Sequence, residues 1–333
     1  MLRVFLIQSP PMGVAESVRS CILPAMGTLR RYNWLGILLA TALGPLWAFP
    51  GRIPRSVLQA MLMTILFLSC LKLRPGDILR DALESWRRTL AVLLTVCLVS
   101  PLLLLPFRGL FQSDTYTGLI LSGTMSAGLG VIFLSELLGG SPGRALVLAV
   151  VSSVLAPFTV PSVVALFAGG EVQIDFAAMS ARTAFIVFVP LAAAVPAGRT
   201  SAGRWLLKIR RTVSQLLFFT MIVTLVSSVR HIILHDPLHS LLLTVVVTLL
   251  SLVCAGLGVL AGRGEKEKMT FAIVASFRNS TLATVLALTL FGEAVALPPV
   301  IYVLVGNLMV VGLQLFYPNA VKGGGVSSET VRQ

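Results

Sequence analysis

The stretch Gly123-Thr-Met-Ser-Ala-Gly-Leu-Gly130 decides how this chain is read, because it sits in the middle of an apolar run. That run extends from Tyr116 to Leu138, and about 20 apolar residues suffice to cross a bilayer as a helix. Glycine and polar residues at the midpoint weaken a helix, and backbone groups freed in hydrocarbon find no water to bond. Such a break is stable only where protein or a cavity replaces lipid. A second stretch, Ser276-Phe-Arg-Asn-Ser-Thr281, places polar residues at the same depth of another run, Thr270 to Phe291. Each is followed by a proline-bearing run, with Pro157 and Pro161 in one and Pro298 and Pro299 in the other.

The rest of the chain fits this reading. Its 333 residues are 56% hydrophobic and 12% charged, against roughly 25% charged in an ordinary soluble domain. Mean hydropathy is +0.93. Ten apolar runs separate the charge clusters: Trp34 to Pro50, Ser56 to Leu73, Leu90 to Phe107, Tyr116 to Leu138, Ala145 to Phe167, Thr183 to Val195, Val213 to Val229, Leu238 to Gly262, Thr270 to Phe291 and Ala294 to Tyr317. An all-α polytopic membrane protein of ten helices is expected. The sixth run is short and carries Pro190 and Pro196.

With the N-terminus inside, the inner segments hold 20 of the 26 Lys and Arg residues. The outer loops hold five (Arg52, Arg55, Arg108, Arg182, Arg230), and Arg278 lies within a run. Excess inner Lys and Arg set topology, so both termini are expected in the cytoplasm, with the protein in a plasma (bacterial inner) membrane. The net charge of +13 is accounted for in this way. No long basic face or aromatic-basic array points to nucleic acid. Residues 1–33 and 318–333 read as cytoplasmic tails, and Asp77 to Arg88 and Arg204 to Arg211 as interfacial helices.

The fourth and fifth runs echo the ninth and tenth, five helices apart. An odd repeat unit inserts its two copies in opposite orientations, the inverted-repeat layout of many secondary transporters. The repeats are placed at 34–167 and 168–317. Glycines that merely let helices pack closely would explain one such run; two in matching positions favour the transporter layout.

The segment from Gly118-Leu-Ile-Leu-Ser-Gly-Thr through Leu137-Leu-Gly-Gly-Ser-Pro-Gly-Arg-Ala-Leu to Ser152-Ser-Val-Leu-Ala-Pro-Phe-Thr-Val-Pro161 resembles the bile acid:sodium symporter family. So does Arg278-Asn-Ser-Thr-Leu-Ala through Ala296-Leu-Pro-Pro-Val-Ile-Tyr to Asn307. The resemblance covers roughly residues 35 to 317 and implies a core domain packed on a panel domain, with helices four and nine broken and crossing. It also implies sodium ligands: a Ser-Asn pair after the first break, hydroxyls in helix five, and a Glu four residues before a Gln-Asn pair in helix nine. Anchored on Pro157, these positions hold Val131 and Ile132, Ala145 and Ala149, and Val274, with Arg278 in place of Gln. Only Asn279 remains, which argues against sodium coupling at those sites.

The expected function is a secondary transporter of a small organic anion working by alternating access, as a monomer or homodimer in the lipid bilayer. No cofactor is expected, and Na+ or H+ stays open as coupling ion. Candidate binding residues are Thr124, Ser126, Gly128 and Gly130 at the first break, Arg278, Asn279, Ser280 and Thr281 at the second, and Glu136 and Asn307. An unpaired charge at mid-membrane costs at least about 2.5–3.5 kcal/mol. Arg278 therefore needs a partner, either Glu136 or the substrate's own negative charge.

Other classes find less support. No HExxH or paired mid-membrane Asp suggests an enzyme. A sensor or channel on the same fold stays open, whereas an arsenite-exporter-like carrier lacks its helix-four thiolate, there being no Cys between Cys97 and Cys254. His231, His235 and His239 have the spacing of one helical face, but Pro237 interrupts them and an interfacial loop without metal is expected.

Overall fold

A computed structural model of the chain describes Leu39, Leu43 and Gly44, then residues 54–71, 86–128, 130–168 and 175–316. The described residues are helical apart from turns and one isolated β-bridge. The helices are α1 (Arg55–Cys70), α2 (Trp86–Leu94), α3 (Ser113–Thr124), α4 (Gly130–Leu137), α5 (Pro142–Ala168) and α6 (Phe176–Ala197), followed by α7 (Ser201–His235), α8 (Pro237–Ala261), α9 (Glu265–Ser276), α10 (Ser280–Leu290) and α11 (Glu293–Phe316). From α2 the chain continues through a π turn (Thr95–Val99), a short helix (Ser100–Leu102) and a 3-10 turn (Leu105–Leu110).

Among the described residues, six of the ten expected runs lie in helical spans long and apolar enough to cross a membrane: Trp86–Leu110, Pro142–Ala168, Phe176–Ala197, Thr212–His235, Pro237–Ala261 and Glu293–Gly312. The second run is the 16-residue α1. The fourth divides into α3 and α4, and the ninth into α9 and α10. The first run, both expected tails and the segment from Asp77 to Arg88 lie outside the described residues, apart from Leu39, Leu43, Gly44, Trp86, Arg87 and Arg88.

Three expectations are corrected. The sixth run is a full span, because Asp175 caps α6 by accepting a 2.9 Å hydrogen bond from Ala178 N. That start places Arg182 inside the helix, not in a loop. The segment Arg204 to Arg211 is continuous with the seventh span, forming one 35-residue helix. The histidines stand on helix ends: His231 and His235 close α7, His239 lies in the first turn of α8, and only Asp236 separates the two helices. Among the described residues no His, Cys, Asp and Glu cluster could hold a metal.

Burial divides the helices into two kinds. Along α8, Leu241, Val245, Leu249 and Leu252 are exposed at three- and four-residue intervals, an apolar stripe suited to lipid. In contrast, α3 is buried from Thr115 to Thr124, and α10 from Leu282 to Leu288. These two half-helices are thus enclosed by protein. Close backbone approach makes this possible. A Cβ on Gly118 would overlap the carbonyl oxygen of Val295 in α11, and one on Gly258 of α8 would overlap that of Phe271 in α9.

Candidate functional site

The two helix breaks meet. Ala127 and Arg278 form an antiparallel bridge, with Asn279 N donating to Ser126 O at 2.8 Å and Gly128 N to Phe277 O at 3.2 Å. Each break thereby satisfies backbone groups that the other would leave orphaned in a low-dielectric interior. Gly128 eases this approach, since a Cβ there would stand 3.1 Å from the Arg278 carbonyl oxygen, a tight contact. The proline-bearing helices complete the arrangement. From α5, Ser152 Oγ accepts from Ala127 N at 3.2 Å, and Ser153 Oγ donates to Ser126 Oγ at 3.3 Å. From α11, Tyr302 donates to Ser276 O at 2.7 Å, the last carbonyl of α9.

Successive residues at the second break serve different faces. Asn279 caps α10, its Oδ1 accepting from Leu282 N at 3.2 Å, which leaves the amide N–H groups as donors. It lines a small pocket with Leu66 and Cys70 of α1, Val150 and Ser153 of α5, and Val187 and Leu191 of α6. The pocket measures about 20 Å³, room for about one water. Two half-helices begin at the meeting point, α4 at Gly130 and α10 at Ser280, and helix N-termini carry partial positive charge.

Arg278 points into the helix bundle and is only 6% exposed. Its Nη1 donates to Val96 O at 3.0 Å and its Nη2 to Cys254 Sγ at 3.7 Å, while Nε has no partner. The local sequence explains why Val96 is available. In the π turn, Ser100 N donates to Thr95 O, and the next residue, Pro101, has no N–H. The Val96 carbonyl is therefore left without a donor from its own helix, and Arg278 supplies one. The alternative ion pair with Glu136 is not formed, because Glu136 is exposed on α4.

The positions that the resemblance assigns to sodium ligands also converge. Val131, Ala145, Ala149 and Val274 are fully buried in one apolar cluster with Val92, Val96, Phe271 and Ala127, and Ile132 packs against it. Where the resemblance implies oxygen ligands around a cation, this chain has methyl groups, with the Arg278 guanidinium bonded to Val96 at the cluster's edge.

The other candidates are distributed unevenly. Ser126, Gly128, Arg278 and Asn279 are brought together. Thr124 turns its hydroxyl back to Ile120 O at 2.8 Å. Ser280 Oγ and Asn307 Nδ2 are buried without hydrogen-bond partners; Gly306, beside Asn307, faces the Phe277 ring. Thr281 is half-buried in the first turn of α10, while Gly130 and Glu136 are exposed. Val96, Cys254 and Tyr302, which surround Arg278 and the second break, escaped the sequence reading. The one sequence signal for Val96 is Pro101.

The profile of the SBF-like CPA transporter family matches residues 34–314. The chain belongs to this family. Among curated proteins, none matches the chain. The matched segment contains both breaks of this transporter-family member, the apolar cluster and the Asn279 pocket.

Proposed function

We propose that the chain is a secondary transporter of a small organic anion, working by alternating access, in which the fixed charge of Arg278 takes the place of a coupling sodium. The observation that carries this reading is the replacement of oxygen ligands by Val131, Ala145, Ala149 and Val274 beside a buried guanidinium. A sodium ion in such a cluster would lose its hydration without gaining ligands. Arg278 supplies the positive charge permanently, and with the N-termini of α4 and α10 it makes the crossing attractive to an anion.

The Asn279 pocket suits the other half of such a substrate. Its walls on α1, α5 and α6 are mainly aliphatic, while Asn279 and Ser153 offer hydrogen bonds. An acid with a compact apolar body would place its carboxylate toward the crossing and its hydrocarbon against Leu66, Val187 and Leu191. The pocket's small volume fits an occluded conformation, so movement of α1 and α6 relative to the crossing would open it.

The proposal includes ten helices in two inverted repeats, 34–167 and 168–317. The matched roles of α5 and α11 support it, since each is a proline-bearing helix that hydrogen-bonds one break. It also includes cytoplasmic termini, a plasma-membrane location and a monomeric or homodimeric state. The test is uptake of a panel of labelled organic acids by proteoliposomes, with sodium and proton gradients imposed separately. Saturable uptake that is indifferent to replacing sodium with choline is expected. Saturable uptake driven by sodium with sub-millimolar affinity would overturn the assignment to Arg278, and no uptake of any acid would overturn the transport reading.

A further inference from the structure

At the start of α9, one half-helix away from the crossing, Arg88, Arg144, Arg263 and Lys266 surround a pocket of about 340 Å³ together with Ser141, Gly264, Glu265 and Glu267. The loops on this side are those that hold most of the chain's Lys and Arg. We infer that this pocket is a binding site for a phosphate-bearing anion, at the bilayer surface and separate from the transport path.

Glu267 organises the site. It is 6% exposed, and both its oxygens are occupied: Oε1 by Arg144 Nη1, Oε2 by Arg88 Nη1 and by Arg263 N at 2.7 Å. One carboxylate thus fixes two guanidinium groups. Arg144 is further held over the Phe271 ring, 5.9 Å from its centroid. Glu265, by contrast, is 94% exposed and turns to Lys268 at 3.4 Å. Among the residues lining the pocket, the carboxylates are Glu267, which is fully engaged, and Glu265, which points to solvent.

The start of α9 adds donors to the same space. Gly264 precedes it as N-cap and supplies no side-chain cap, so the first-turn N–H groups at Glu265, Lys266 and Glu267 border the pocket. Pinned arginines, which bind phosphate oxygens in bidentate fashion, and an uncapped helix start form a preorganised oxyanion receptor. The volume admits a phosphate together with a small esterified group. A basic pocket between membrane helices at the bilayer surface is a recurrent lipid-headgroup site, and free phosphate presents the same chemistry.

Two probes separate these sources. Inorganic phosphate is titrated onto the full chain in a neutral detergent, with thermal stability as readout. Native mass spectrometry then counts the phosphatidylglycerol and phosphatidylcholine retained after reconstitution in mixed vesicles. The variant is Arg263→Gln with Lys266→Gln, two exposed side chains whose removal leaves the Glu267 pairs intact. At about fivefold per surface cation, affinity is expected to fall roughly 25-fold, and Arg263→Lys should keep most of it. Stabilisation by phosphate identifies a soluble anion, and selective retention of phosphatidylglycerol identifies a lipid. Either result, lost in the double variant, supports the site. Failure of both probes, or equal affinity in wild type and variant, overturns it. Neither outcome depends on whether the organic acid is transported.

Discussion

Arg278 Nη1 lies 3.0 Å from the carbonyl oxygen of Val96, a residue 182 positions away in the sequence. The contact joins the break of the ninth run to the π turn of the third. It exists because Pro101 cannot donate to that carbonyl, so an arginine on one helix repairs a proline defect on another.

Removing the guanidinium should therefore expose the defect. Arg278→Ala leaves the Val96 carbonyl buried and unbonded, with an expected loss of about 1–3 kcal/mol. Adding Pro101→Ala restores an N–H at position 101 and should recover much of the stability without restoring uptake. Thermal unfolding in detergent of the two single variants and the double gives the coupling energy. Additive losses would show that the two positions act independently.

Asn279 combines two roles that its acidic analogue separates. Asn279→Ala removes the α10 cap and should cost about 1 kcal/mol. Asn279→Asp keeps a capping oxygen at a helix N-terminus and should hold wild-type stability, yet it places a negative charge in the pocket proposed for an anion. Uptake by Asn279→Asp proteoliposomes is expected to fall at least tenfold at unchanged melting temperature. Normal uptake would remove the residue from the substrate path.

Glu267 and Glu265 are two positions apart and should respond very differently to neutralisation. Glu267→Gln leaves Arg88 and Arg144 facing each other without their shared carboxylate. Loss of a fully buried pair costs about 3–5 kcal/mol. Here the arginine side chains are 35% and 25% exposed, so about 2–3 kcal/mol is expected. Glu265→Gln should stay within about 0.5 kcal/mol, as surface substitutions do. Comparable melting shifts for the two would contradict the bridging role.

Two glycines give an equally sharp contrast. Gly118→Ala drives a methyl into the Val295 backbone, which cannot move away as a side chain could. A loss of at least about 2 kcal/mol and poor yield are expected. Gly130→Ala meets nothing within 4 Å at the start of α4 and should be neutral or stabilise by about 0.5 kcal/mol. Yield and melting temperature of the pair measure how tightly α3 and α11 must pack.

Much of the architecture was legible because the bilayer makes local composition decisive. Apolar runs bounded by charge become helices, since hydrocarbon tolerates no other unpaired backbone. Gly123 to Gly130 and Ser276 to Thr281 announced their breaks for the same reason. Helix ends were harder to see: Asp175 as a cap, or the unbroken passage through Arg204 to Arg211, depends on hydrogen bonds and packing that hydropathy does not register.

By itself, the sequence determined that this is a helical membrane chain with two interrupted segments, basic residues clustered between its apolar runs, and apolar residues where the resemblance would require sodium ligands. Only the tertiary structure decided what those features do. The Glu-Lys-Glu-Lys run at 265–268 reads as an ordinary solvated helix start, until folding brings Arg88 and Arg144 onto Glu267 from 179 and 123 residues away. Arg278 was legible as a charge needing a partner, but Glu136 is exposed on α4 and does not supply one. Its partner is a backbone carbonyl, and every residue carries one. Which carbonyl lacks a donor is fixed by hydrogen-bond geometry within a helix, and which cation reaches it is fixed by packing between helices.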